Sequence, residues 1–60
     1  MDQREAQVID AMEQAAMAGL CREGQVEIGA QTAQTLYPEL DAAQRLALAE
    51  ALHDRRLSDD

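Results

Sequence analysis

GLCREGQVEIG, residues 19–29, holds all three glycines and the only cysteine of the chain, and its local geometry decides how the rest can fold. Arg22 followed by Gly24 is typical of a helix C-terminus, because a cation suits the negative end of the helix dipole and glycine accepts a left-handed cap. The pattern predicts that a first helix ends, and the chain turns, near Gly24. Gly19 is interpreted as a close-packing residue of that helix, and Gly29 as a tight contact in the next.

The same stretch does not have the pattern of a ligand-binding loop. Phosphate-binding glycine loops need a set glycine spacing and usually a Lys, Ser or Thr beside the phosphate. Here the glycines recur every five residues, the chain has no Lys, and the carboxylates of Glu23 and Glu27 would repel an anion. A corner between helices is therefore favoured, and no cofactor is expected.

Capping signals and helical spacing on both sides of this stretch predict three helices. Asp2 stands three residues before Glu5, and Asp41 three residues before Gln44, which is the spacing of a capping box at a helix start. Pro38 disfavours helical geometry in the residue before it and ends the second helix. We expect a single all-α, three-helix domain, a bundle or an open trio completed by oligomerisation, with helices over about 3–22, 25–37 and 42–56 and an acidic tail at 58–60.

The core of such a domain is expected to be thin. Sixty residues bury little surface, Phe and Trp are absent, and twelve of the apolar residues are Ala. Small domains of this kind usually need a disulfide, a metal or a second chain. The expected buried faces are Val8, Ile9, Met12, Ala15, Ala16, Gly19 and Leu20 on the first helix, and Val26, Gly29, Ala30, Ala33, Leu36 and Tyr37 on the second.

Cys21 and His53 carry the chemistry that a nucleophile or metal site would need, but each is the only residue of its type. Neither an intramolecular disulfide nor a zinc ligand set can be assembled from them. Cys21 is expected on the surface beside Met17, where packing against a neighbour is favoured over reactivity or binding of a soft metal. His53 is expected at the core edge with a local hydrogen bond, rather than as a catalytic base. The sequence therefore predicts no enzyme and no metal site.

The charge of the chain restricts its partners. Six Asp and six Glu outnumber five Arg, which gives a net charge of −7. Nucleic acids and anionic membranes attract basic proteins, so neither is expected as a partner, and a helix-turn-helix DNA binder is disfavoured. The N-terminal MDQREAQ does not have the pattern of a signal peptide, and no stretch of the sequence has an apolar run of membrane-spanning length. We therefore expect a cytoplasmic protein. Ala and Arg without Lys or Asn indicate GC-rich coding and a bacterial source.

The third helix has more apolar surface than a small monomer can cover. Leu46, Ala49, His53 and Leu57 share one face, while Leu48 and Leu52 form a second stripe. We expect the first face to be buried and the second to remain exposed for a partner. The predicted partner-binding residues are Leu48, Leu52, Arg45, Arg55, Ile28, Met17 and Cys21.

Two functions fit these expectations. The favoured one is a small acidic helical interaction module, an accessory or regulatory subunit that forms a homodimer or binds another protein through the leucine stripe. The alternative is an acidic inhibitor or antitoxin-like protein that covers a basic surface of an enzyme or DNA-binding protein. Its contacts would be salt-sensitive and would use Glu5, Glu13, Glu23 and Glu27.

Overall fold

A computed structural model describes residues 2–57, which form three helices of fifteen residues each. They are α1 (Gln3–Met17), α2 (Arg22–Leu36) and α3 (Ala42–Arg56). α2 packs against both of the other helices in a domain of 29 × 22 × 17 Å. The predicted all-α, three-helix fold is confirmed, whereas its completion by a second chain stays a prediction.

The starts of α1 and α3 follow from their capping residues. The side chain of Asp2 accepts a hydrogen bond from the backbone N–H of Arg4 at 2.9 Å. Asp41 and Gln44 form the complete capping box, because each side chain accepts from the backbone N–H of the other, at 2.8 and 3.0 Å. These bonds satisfy donors that have no partner within the helix, which fixes where each helix begins.

The first corner differs from the prediction, because α1 ends at Met17 and not at residue 22. Gly19 has a φ of +97°, and its N–H donates to the carbonyl of Ala16 at 3.0 Å. The N–H of Leu20 donates to the carbonyl of Ala15, also at 3.0 Å. This is the Schellman arrangement, in which glycine adopts the left-handed conformation one residue past the C-cap, here Ala18. Gly19 is therefore the helix terminator, and its interpretation as a close-packing residue is wrong.

The other two glycines lie within α2. Gly24 does not cap a helix, as the sequence predicted, but sits in the first turn of α2, where a Cβ would approach Leu20 Cδ2 to 3.0 Å. Gly29 is the predicted tight contact, since a Cβ there would lie 2.7 Å from Met12 and 3.3 Å from the Cβ of Ala49. The three helices therefore approach one another closely at Gly29.

The core follows the predicted faces of α1 and α2 in most positions. On α1 the expected face is buried as far as Ala15, whereas Ala16 is exposed within the helix. Gly19 and Leu20 are exposed beyond the end of α1. The predicted face of α2 is buried or half-buried throughout. The buried hydrophobic residues are Val8, Ile9, Met12, Ala15, Val26, Ala33, Tyr37, Ala49 and Leu52.

The predicted division of α3 into a buried face and an exposed stripe is only partly right. On the predicted buried face, Ala49 and His53 are buried and Leu57 is half-buried, as expected. Leu52 is only 1% exposed, and Leu48 is half-buried against the core, whereas Leu46 is 44% exposed. Ala49 packs against Gly29, so this contact sets the rotation of α3 and turns Leu52 inward. The side chains of Leu48 and Leu52 thus complete the thin core of one chain and do not form a free surface.

Candidate interaction surface

The feature that best combines apolar exposure with charge is a cleft of about 360 Å³ between the N-terminal half of α2 and α3. Val26 lies at its buried floor, and Leu46 presents an exposed apolar side chain beside it. The rim carries carboxylates from both helices. The lining residues of this acidic cleft are Arg22, Glu23, Val26, Glu27, Leu46 and Glu50.

Helical spacing places the carboxylates on the two walls of the acidic cleft. Glu23 and Glu27 lie one turn apart on α2, and Glu50 extends from α3, with all three side chains exposed. No group of three or more His, Cys, Asp or Glu residues within 2–57 is arranged to hold a metal ion. The carboxylates of Glu23, Glu27 and Glu50 form an acidic rim around the apolar side chains of Val26 and Leu46.

One end of the acidic cleft is closed by an ion pair. Arg22, the first residue of α2, donates from Nη2 to Oδ1 of Asp54 on α3 at 3.0 Å. The two side chains remain 50% and 64% exposed. Arg22 is the only cation among the six residues that line the acidic cleft, and Asp54 follows Glu50 by one helical turn.

The predicted partner-binding residues are dispersed over the molecule. Leu48 and Leu52 belong to the core, and Ile28 is half-buried on α2. Met17, which is 85% exposed, and the exposed Cys21 lie at the α1–α2 corner. The two predicted arginines also lie at different places in the fold: Arg45 lines a separate cleft with Glu27, and Arg55 pairs with Glu5 at 3.9 Å on the α1 side.

The exposure predicted for Cys21 is confirmed, but its position is different from the expected one. Cys21 is the N-cap residue of α2, with extended backbone and no side-chain capping bond. The reversal at Gly19 separates it from Met17, so the two do not share a helical turn. The exposed thiol is thus at a corner and outside the acidic cleft.

His53 has the expected core-edge position, with only 6% of its surface exposed. Gln25 Nε2 donates to the carbonyl of Leu20 at 2.8 Å, so its Oε1 faces His53 Nε2 at 2.7 Å and accepts a hydrogen bond from the ring. The ring nitrogen Nδ1 is buried and has no hydrogen-bond partner among residues 2–57. His53 therefore joins α3 to the α1–α2 corner through Gln25, which is a structural role.

A second cleft, of about 430 Å³, lies between α1 and α3. Its walls carry charges of both signs, because Asp10 and Glu13 on α1 face Arg55 and Arg56 on α3. Glu5 and Glu13, which the inhibitor hypothesis included, thus lie on this side of the molecule, away from Glu23 and Glu27. Mixed charge makes this second cleft less selective for a basic partner than the acidic cleft.

Near the end of α2, Tyr37 lies under the guanidinium of Arg4, whose Cζ is 4.3 Å from the ring centroid. Arg4 also pairs with Asp2 and Glu39, each at 3.6 Å. Burial raises the pKa of Tyr37 above 10.0, and Asp2, Glu5 and Glu39 raise it further while Arg4 lowers it. This cluster ties α1 to the second corner.

No family model matches the chain, and neither a curated protein nor a solved structure matches it. Within residues 2–57, no helix has the length and apolar character needed to cross a membrane. Sequence reasoning placed Leu46 on the buried face of α3, although the four-residue spacing of Leu46, Glu50 and Asp54 is a signal for a common helical face.

Proposed function

We propose that the protein is a small acidic interaction module that binds a basic segment of a partner protein in the acidic cleft. The observation that carries this proposal is the exposure of Leu46, a large apolar side chain at 44%, between the carboxylates of Glu27 and Glu50. Lys and Arg combine an aliphatic stem with a cationic head. The stem of such a residue can cover Leu46 while its head meets the rim.

The charge of the rest of the surface supports a basic partner. Arg4, Arg22 and Arg55 are each engaged with a carboxylate of the same chain. With a net charge of −7, the surplus carboxylates produce a field that attracts basic proteins and repels nucleic acid. Complementary charge of this kind accelerates encounter and contributes specificity.

The leucine stripe is not retained as the binding surface, since Leu52 is in the core. We retain the hypothesis of an interaction module, but the proposed binding surface is the acidic cleft and the proposed binding is partly electrostatic. If the bound segment belongs to a functional surface of an enzyme or DNA-binding protein, the module would block that surface. This is the inhibitor or antitoxin-like alternative, with Glu23 and Glu27 as the acids it shares with the proposed site.

The test is an NMR titration of the labelled chain with a synthetic amphipathic helical peptide that alternates Leu and Arg faces. We expect the largest shifts at Val26, Leu46 and Glu50, with binding that weakens as salt is raised. A peptide with Gln at every Arg position is the matched ligand control. Shifts confined to the α1–α2 corner, around Met17 and Leu20, would contradict the proposed site.

Charge variants distinguish binding at the acidic cleft from attraction by the net charge of the chain. The double substitution Glu27→Gln and Glu50→Gln should weaken binding of the Arg peptide by about tenfold, because exposed ion pairs are each worth about 0.2–1 kcal/mol. A double variant with the same change in charge, Glu13→Gln and Glu39→Gln, lies outside the acidic cleft and should weaken binding by less than about threefold. Equal losses in the two variants would mean that only net charge attracts the peptide.

A further inference from the structure

The ion pair between Arg22 and Asp54 joins two charges that each interact unfavourably with the dipole of their own helix. Arg22 is the first residue of α2, next to the positive end of that helix dipole. Asp54 lies in the last turn of α3, next to the negative end of that dipole. An exposed pair adds little stability of its own, so it does little more than offset these two unfavourable placements. Stability of the fold does not account for the pair.

The pair does have a consequence for the acidic cleft. Asp54 continues the line of Leu46 and Glu50 along α3, so its carboxylate extends the acidic rim by one turn. The guanidinium of Arg22 donates a hydrogen bond to that carboxylate at 3.0 Å and neutralises the charge at this end of the acidic cleft. A partner's cation that uses the full length of the acidic cleft must therefore compete with Arg22.

Resting on the proposed function, we propose that the partner supplies an arginine whose guanidinium replaces that of Arg22 on Asp54. Arg22 then acts as an internal competitor, which keeps weakly matched basic segments out of the acidic cleft. Because its side chain is half exposed, Arg22 can turn into solvent without opening the core. An arginine is favoured over a lysine because the planar guanidinium can donate two parallel hydrogen bonds to one carboxylate.

The experiment measures binding of two peptides, one with Arg and one with Lys at every basic position, to the whole chain and its variants by isothermal titration calorimetry. Arg22→Gln should bind the Arg peptide about three- to tenfold more tightly than the unsubstituted chain, since the competitor is gone. Arg55→Gln makes the same change in charge on the α1 side and should change the affinity less than about twofold. The Lys peptide should gain less than the Arg peptide.

A second variant tests whether the gain in affinity depends on Asp54. In an Asp54→Asn background, Arg22→Gln should no longer increase the affinity for the Arg peptide, because the contested carboxylate is absent. Thermal unfolding of each variant checks the fold, and Arg22→Gln should remain folded because it removes an exposed side chain.

The possible outcomes distinguish this inference from the proposed function. If the unsubstituted chain binds and the Glu27 and Glu50 variant weakens binding, but Arg22→Gln gives no gain over Arg55→Gln, the competitor role is wrong and the proposed function stands. A gain that persists in the Asp54→Asn background would also overturn the competitor role. If neither the unsubstituted chain nor Arg22→Gln binds either peptide at low salt, both proposals are wrong.

Discussion

Met12 fills the space that a side chain on Gly29 would need, since a Cβ on Gly29 would lie 2.7 Å from both Cγ and Sδ of Met12. Met12 is fully buried, so its side chain has little room to move aside. On the other side of Gly29, the Cβ of Ala49 is 3.3 Å away. Because Gly29 has no side chain, α1 and α3 can both pack closely against the backbone of α2 at this position.

Gly29→Ala should therefore destabilise the domain, although alanine is the better helix former. The helical preference of Ala contributes about 1 kcal/mol, whereas overpacking a filled core costs about 1–3 kcal/mol. Urea unfolding followed by circular dichroism measures the net change. In a Met12→Ala background the same substitution should stabilise, because the obstruction is gone. A gain in stability from Gly29→Ala in the unsubstituted chain would show that the contact can relax without cost.

The burial of Leu52 gives a prediction opposite to the one that its sequence pattern suggested. Leu52→Ala should cost about 2–5 kcal/mol, enough to unfold much of so small a domain. Leu46→Ala removes the same atoms from a side chain that is 44% exposed, so its cost should be far smaller. Thermal unfolding compares the two. If Leu52→Ala melted at the temperature of the unsubstituted chain, Leu52 would not be a core residue.

The parts of the fold that could be predicted are those determined by local interactions. The capping box of Asp41 and Gln44 and the stop at Pro38 depend on neighbours in the sequence, and both are where the sequence predicted them. The first corner was misplaced because Gly19 and Gly24 each satisfy the requirement for a glycine after a helix. Gln25 bonds the Leu20 carbonyl within the stretch and also His53 on α3, and this second partner is not visible in the local sequence.

The rotation of α3 could not be predicted because apolar residues occur on most of its circumference. The contact of Ala49 with Gly29 selects the buried face, and that contact joins residues from different helices. The same rotation exposes Leu46 and brings Glu50 to the rim of the acidic cleft. From sequence alone, the one-turn spacings of Glu23 with Glu27 and of Glu50 with Asp54 were visible, but not that α2 and α3 bring Glu23, Glu27 and Glu50 to one cleft. The candidate site could therefore be predicted only in part.

Removing one partner of the hydrogen bond between His53 and Gln25 should destabilise the domain more than removing both partners. Gln25→Leu removes the acceptor and leaves the buried ring with no partner, which should cost about 1–3 kcal/mol. Adding His53→Leu should recover part of that loss, because an apolar pair has no unsatisfied polar atom. Chemical denaturation of the single and double variants provides the comparison. A double variant less stable than Gln25→Leu alone would contradict this account.

Nitrogen NMR of the ring tests the same bond directly. Since Oε1 of Gln25 can only accept, the neutral ring of His53 must carry its proton on Nε2. We expect the two ring nitrogens to report this tautomer, and the Gln25→Leu variant to lose the preference. A ring protonated on Nδ1 in the unsubstituted chain would mean that the amide of Gln25 is turned the other way.

Tyr37 should make the stability of the domain fall in alkaline solution. Burial raises the pKa of Tyr37 above its usual value of 10.0, so the folded chain holds the phenolic proton more tightly than the unfolded chain. The resulting stabilisation is fully present below pH 10.0 and is lost as the pH rises through the folded-state pKa, because the unfolded chain is the first to release the proton. Urea unfolding measured from about pH 8.5 to 11.5, in the presence of a reductant for Cys21, should show this decline.

Tyr37→Phe is the matched control, because it keeps the ring under Arg4 and removes the titrating group. The variant should lack the part of the decline above pH 10.0 that belongs to Tyr37. Since the chain has one tyrosine, the absorbance of tyrosinate follows the same proton in the folded state. A midpoint at or below that of the urea-unfolded chain would contradict the raised pKa, whereas a higher midpoint together with a flatter stability profile in the variant would assign the alkaline decline to Tyr37.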